Sequence, residues 1–357
     1  MRFLIFSLLS IVLNLYAVYS DPELLNLDIA SNRVSGIQAS ARPSALLWKK
    51  FDDFLKDPDF SQRSVPYCLD DKFPEVSQFL PWMNSQKLIQ TACHLKHLHY
   101  LTNTLKEAFE NLFFLLELSI NELNPEEIGR LWGCISGCGY GLPKSFLEKL
   151  EQHTILRSNH FNDSLILSTL PHISALPEGR AFNRFVQLFS AIEDLSNPND
   201  IHNYIFLKTY LTEVRDASIV PSREMRSALK RYRNNAEYAV KTSAAQRQVT
   251  RFLQRFDSDF SSEVLYMDLD MCLDIAHIDE KIAVDMDGQH HYKENVSSTT
   301  YIRRPLDLMR DALLLKRGWK VYRIRPDEWD SFKADFSSKM HEQNTLDTFY
   351  RLYAVNF

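Results

Sequence analysis

Near residue 243 the spacing of apolar residues changes, and that change limits what the chain can fold into. From about 45 to 240 they recur at three and four, as in Leu105, Phe109, Leu112, Phe113 and Leu116, the stripe of amphipathic helices. Beyond 243, Val249, Phe252, Leu253 and Phe256 mark one further helix face. Short β-type runs then follow at 263–267, 271–277 and 281–287. A helix over 305–317, with Leu306, Met309, Leu313 and Leu314 inward, stops at Gly318, and 320–325 reads as a last strand. A strand–helix–strand succession is a crossover, so the third and fourth strands should run parallel. The expected architecture is a helical domain over 51–240, followed by a small αβββαβ domain over 243–357 with C-terminal helices.

The 357 residues suit two domains, and 45% apolar with 24% charged residues argues against a disordered or fibrous chain. Five cysteines are too sparse for a disulfide scaffold and read as reduced structural thiols. Residues 1–20 resemble a signal segment: Arg2, then an apolar run from Phe3 to Val18, then Val18-Tyr19-Ser20 as a cleavage site. A signal anchor is the alternative. Within the linker 21–50, residues 29–50 carry Arg33, Arg42, Lys49 and Lys50, four serines and no acid, which suits a transit peptide. Under simple secretion, Asn162 and Asn295 would instead be glycosylation acceptors.

A faint repeat runs through the helical part. Asn124, Ile128, Ile135 and Ser136 match Asn162, Ile166, Ile173 and Ser174 at a spacing of 38 residues, so a helical-pair solenoid and an irregular helical domain both remain open. Asn124-Pro125-Glu126-Glu127 is a helix start with a capping box. Cys134 and Cys138, at i and i+4, favour a helix face ending in a tight turn over a zinc site; Cys93-His94-x-x-His97-x-His99 reads as ordinary surface or core histidines.

The net charge of -5 argues against a nucleic-acid binder working by bulk positive charge, but the distribution does not. Ten Lys or Arg against three acids lie between 215 and 255, with Arg223, Arg226, Lys230, Arg231 and Arg233 within eleven residues and Tyr232 and Tyr238 among them to stack on bases. A second basic stretch, 303–325, holds Arg303, Arg304, Lys316, Arg317, Lys320 and Arg323. Between them, 257–287 holds ten acids and one lysine. If the second and third strands turn at Asp279-Glu280 through a two- or four-residue loop, paired residue numbers sum to 559 and Asp274 faces Asp285. Opposed carboxylates destabilise a hairpin unless a divalent metal, a nearby arginine or a raised pKa offsets them. Asp287 lies on the same face, and Gly288, His290 and His291 follow. Carboxylates with a histidine suit a magnesium-dependent phosphodiester site.

Leu273-Asp-Ile-Ala, Lys281-Ile-Ala-Val-Asp285-Met-Asp287-Gly-Gln-His-His291, Leu313 to Gly318-Trp319-Lys-Val321, Ile324 and Trp329 together resemble the RAP domain, an RNA-binding domain abundant in apicomplexans and present in FAST-kinase-like mitochondrial proteins. The resemblance covers about 270–332. It implies a restriction-endonuclease-like fold, helical repeats upstream, and work on organellar RNA, ribosomal or messenger. By position, Asp274 matches the first acid of the nuclease motif. Asp285 replaces the family's usual glutamate, and Asp287 stands where an active nuclease of the wider fold carries lysine. His291 matches the family histidine.

The leading reading is an organellar RNA-binding protein acting in RNA processing or stability, in the mitochondrion by family or a plastid by the signal-plus-transit start. It needs no small-molecule cofactor and no membrane span once the targeting segment is removed. A second reading is a metal-dependent endoribonuclease, with magnesium on Asp274 and Asp285 and with Asp287 or His291 assisting water attack. A third is a secreted or endomembrane helical interaction protein.

Overall fold

The computed structural model describes residues 79–355 except 96–99, 102, 139–141, 176–178, 236–241, 267–270, 289–290 and 296–300, together with positions 49 and 53. The signal-like segment 1–20, the transit-like stretch apart from position 49, His97, His99 and Tyr238, and the side chains of Cys138 and Arg233, lie outside the described residues. Among the described residues no helix is long and apolar enough to cross a membrane. They form twelve helices and a small four-stranded mixed sheet near the C-terminus, an α+β arrangement.

The helical part comprises α1 (Ser85–Leu95), α2 (Asn103–Leu118), α3 (Pro125–Cys138), α4 (Lys144–Arg157), α5 (Asp163–Ser174), α6 (Arg180–Ser190), α7 (Pro198–Glu213) and α8 (Arg223–Asn235). Each odd helix from α1 to α7 packs on the next odd one, and α2, α4 and α6 pack in a second layer. The two segments that match at 38 residues are α3 and α5. Both start on an asparagine whose side chain accepts a backbone N–H: Asn124 Oδ1 from Glu127, at 2.9 Å, and Asn162 Oδ1 from Leu165, at 2.8 Å. Glu127 returns a bond to the Asn124 N–H at 2.9 Å, closing the capping box. The isoleucines shared by the repeat, Ile128, Ile135, Ile166 and Ile173, are buried. Gly129 of α3 lies against α5, where a Cβ would stand 2.8 Å from Thr169 Oγ1.

The C-terminal part runs α9 (Ala244–Leu253), β2 (Ser261–Tyr266), β3 (Met271–His277), β4 (Ile282–Met286), β5 (Tyr292–Asn295), β6 (Tyr301–Arg303), α10 (Pro305–Lys316), β7 (Lys320–Ile324), α11 (Pro326–Phe336) and α12 (Gln343–Tyr353). The sheet order is β2-β3-β4-β7, with β4 and β7 parallel as the crossover requires and the other pairs antiparallel. Gly318, at φ +81°, ends α10. Alternation along β4 and β7 sends Ile282, Val284, Tyr322 and Ile324 to a core under α9, α11 and α12, and Ala283 and Val321 to a core shared with Leu313 and Leu314 of α10. Leu306 is 47% exposed, against the sequence expectation, and α10 buries Pro305, Asp307, Met309 and Asp311 instead. Its inward face is turned to serve those two carboxylates.

A second small sheet was not expected. The β5–β6 hairpin, between β4 and α10, pairs in parallel with β1 (Tyr100–Leu101) from the helical part. The crossover helix also joins the two parts, because α10 packs on α5 and α7 and Met309 enters the helical core. Arg317, just past α10, makes a two-pronged ion pair with Glu213 of α7 at 2.7 and 2.8 Å.

Candidate functional site

The β3–β4 hairpin has the expected register. Ile275 pairs with Val284, Ala276 with Ala283 and His277 with Ile282, across a four-residue loop that Lys281 closes at φ +50°. Continued one step, that register sets Asp274 opposite Asp285. On the other side of β3, the β2 register sets Glu263 opposite Asp274. Asp285 pairs with Arg323 of β7. Glu263, Asp274, Asp285 and Arg323 therefore form one line across all four strands.

Three acids side by side need compensation, and it comes from arginines on α10, β7 and β6. Asp307, Arg310 and Asp311, at i, i+3 and i+4, share the helix face that covers this end of the sheet. Arg310 Nη2 donates to Asp285 Oδ1 at 2.8 Å and to the Cys272 carbonyl at 2.9 Å. Arg323 donates to both Asp311 oxygens at 2.7–3.0 Å, pairs with Asp287, and stands 3.3 Å from Asp285 Oδ2. Arg303 completes the group on Asp311. Burial alone would lower the Arg323 pKa, but the charges of Asp285 and Asp311 outweigh it and hold the guanidinium charged.

Counting charge explains which acids are left over. Arg303, Arg310 and Arg323 balance Asp285, Asp287 and Asp311. His291 Nδ1 lies 3.1 and 3.2 Å from the Asp307 oxygens, and that contact raises the imidazole pKa while holding Asp307 low against its burial. Asp274 and Glu263 are left without a cation; Glu263 accepts from Gln246 Nε2 at 2.8 Å, and Asp274 is the one set directly opposite Asp285. Burial, then the facing Asp285, push its carboxyl up to about 6, although it accepts the Met286 N–H at 2.8 Å. Burial also raises Asp287. Of the three ways to tolerate the opposed carboxylates, the structure uses a nearby arginine and a raised pKa.

The third way, a magnesium ion on Asp274 and Asp285, does not fit this donor set. Asp285 faces two guanidinium groups, and a divalent ion there would meet like charge at hydrogen-bond range. Asp287 is taken up by Arg323, and His291 by Asp307. Asp257, Asp259 and His277 bring possible ligand atoms within 4.8 Å of one another beside a cleft of about 350 Å³. There the Glu280 N–H donates to His277 Nδ1 at 3.2 Å, so Nε2 carries the proton and donates to Asp257 at 3.0 Å. With one lone pair already used, His277 serves as a structural polar group.

Of the phosphate candidates, the structure draws Arg303, Arg317 and Arg323 into carboxylate pairs within the protein. Arg304, Lys316 and Lys320 are exposed around α10. Arg223, Arg226, Lys230 and Arg231 are exposed on α8, which Met225 and Leu229 anchor to the helical core. None of these four forms an ion pair with a described residue. Sequence reading missed Asp307, Arg310 and Asp311. The available signal was three charged residues on the face of a crossover helix that has to pack on its sheet.

No family model and no curated protein matches the chain.

Proposed function

We propose that this is an organellar RNA-binding protein acting in RNA processing or stability, with the helical part and the RAP-like C-terminal module both contacting RNA. The observation that carries the reading is α8. Arg223, Arg226 and Lys230 follow i, i+3, i+7 spacing with Arg231 beside them, all exposed and none ion-paired to a described acid. Such a face, fixed to a core by Met225 and Leu229, suits successive phosphates. Arg304, Lys316 and Lys320 would add a second contact. The β2-β3-β4-β7 order, with its crossover and carboxylate line, supports the restriction-endonuclease-like comparison made from the RAP resemblance. The engagement of Asp285 and Asp287 by arginine favours holding RNA over cutting it.

The test is a binding titration with single-stranded RNA over a range of salt. Four phosphate contacts give a slope of log K against log salt of about -3. Arg226→Glu combined with Lys230→Glu, both on the exposed face, should flatten that slope and lower affinity while leaving the circular dichroism spectrum unchanged. Binding that ignores salt, or ignores the double substitution, refutes the assignment. A C-terminal fluorescent fusion seen in a mitochondrion or plastid tests the compartment, and a secreted product refutes it.

A further inference from the structure

We propose that Cys93 and Cys134 are the site of an intrachain disulfide that staples α1 to α3. Sequence reading treats both as reduced thiols, since they lie 41 residues apart and share no motif. The fold brings them together. α1 and α3 are packed neighbours, with Ala92 and Leu95 of one and Leu131 and Ile135 of the other buried. Cys93 Sγ stands 2.7 Å from Cys134 Sγ. A disulfide bond is about 2.05 Å long, so the two sulfurs are already within about 1 Å of bonding distance.

The two sulfurs differ in access, and that orders the chemistry. Cys93 is partly exposed and Cys134 is fully buried. A small-molecule disulfide, RSSR, is the oxidant. The Cys93 thiolate attacks it, forming a mixed disulfide and releasing one RS⁻, which takes up the Cys93 proton. The Cys134 thiolate then attacks the Cys93 sulfur and expels the second RS⁻, protonated in turn. Two protein thiols and RSSR become one protein disulfide and two RSH. Cys272 is unsuited to this exchange, because burial and the Glu263 carboxylate push its thiol up to about 11. The signal-like start at residues 1–20 is the sequence feature that would take the chain through an oxidising compartment.

The experiment equilibrates the purified full chain with oxidised and reduced glutathione, blocks remaining thiols, and maps tryptic peptides without reduction. Peptide 88–96 should be found linked to 131–144, with fragmentation placing the bond on Cys134 and not Cys138. The link should vanish on reduction and in Cys93→Ser and Cys134→Ala, and persist in Cys138→Ser and Cys272→Ser. Closing a loop of this length should raise Tm on the order of 10 °C, lost in Cys93→Ser under oxidising conditions only. Both thiols still open to alkylation, a bond made through Cys138, or a tightly held zinc ion with both thiols reduced would each overturn the proposal.

Discussion

Replacing Asp274 by asparagine should make the protein more stable at neutral pH, although it alters the line of carboxylates that most resembles an active site. Asp274 has no cation of its own and faces Asp285, and its carboxyl is pushed from 3.8 up to about 6. Between those values the folded chain holds a proton that the unfolded chain has released. Stability is therefore lost as pH rises through that window, and above it the folded state carries the full cost of a charged Asp274. A shift of that size corresponds to about 3 kcal/mol. The side chain is only partly buried, so solvent screening leaves an observable effect of about 1–3 kcal/mol. Asparagine removes the charge, keeps an acceptor for the Met286 N–H, and sets an amide donor opposite Asp285 Oδ2, a buried oxygen with no hydrogen-bond partner. Thermal melts of wild type and Asp274→Asn from pH 4 to pH 8 should diverge with rising pH, the variant melting about 3–10 °C higher at pH 8. The two should converge near pH 4. A variant less stable at pH 8, or a gap that does not change with pH, would refute the charge count behind the prediction.

Other substitutions test the rest of the cluster. Arg323→Ala leaves the buried Asp287 without its arginine, takes one of two arginines from Asp285 and from Asp311, and should cost about 3–5 kcal/mol by chemical denaturation. If Arg323→Ala unfolds at the wild-type midpoint, the guanidinium does not hold the sheet to α10. His291 has a raised pKa because of Asp307, so the stability of that pair is fully present below the ordinary value of 6.5 and is lost as pH rises through the folded value. Asp307→Asn should bring the His291 titration, followed by NMR, back down towards 6.5; an unmoved titration would show that another group sets it.

The hairpin register, the parallel crossover and the helix starts at Asn124 and Asn162 were legible because each depends on residues close in sequence: a turn length, a two-residue period, a side chain reaching three residues on. The line Asp274–Asp285 followed from the turn alone. The partners of that line were not legible. Arg310 reaches Asp285 from 25 residues away, and Arg323 reaches Asp287 from 36. Arg317 finds Glu213 across 104 residues, and Cys93 meets Cys134 across 41. The same limit explains Leu306, placed inward by its spacing and found exposed because Asp307 and Asp311 claimed the inner face.

The sequence by itself determined that a helical part precedes a small mixed sheet, and that two carboxylates would face each other on one hairpin. Only the tertiary structure decided whether those carboxylates would be balanced by guanidinium groups or left open to a metal. That outcome depends on which face of α10 meets the sheet, and electrostatic partners chosen by docking leave no periodic trace along the chain.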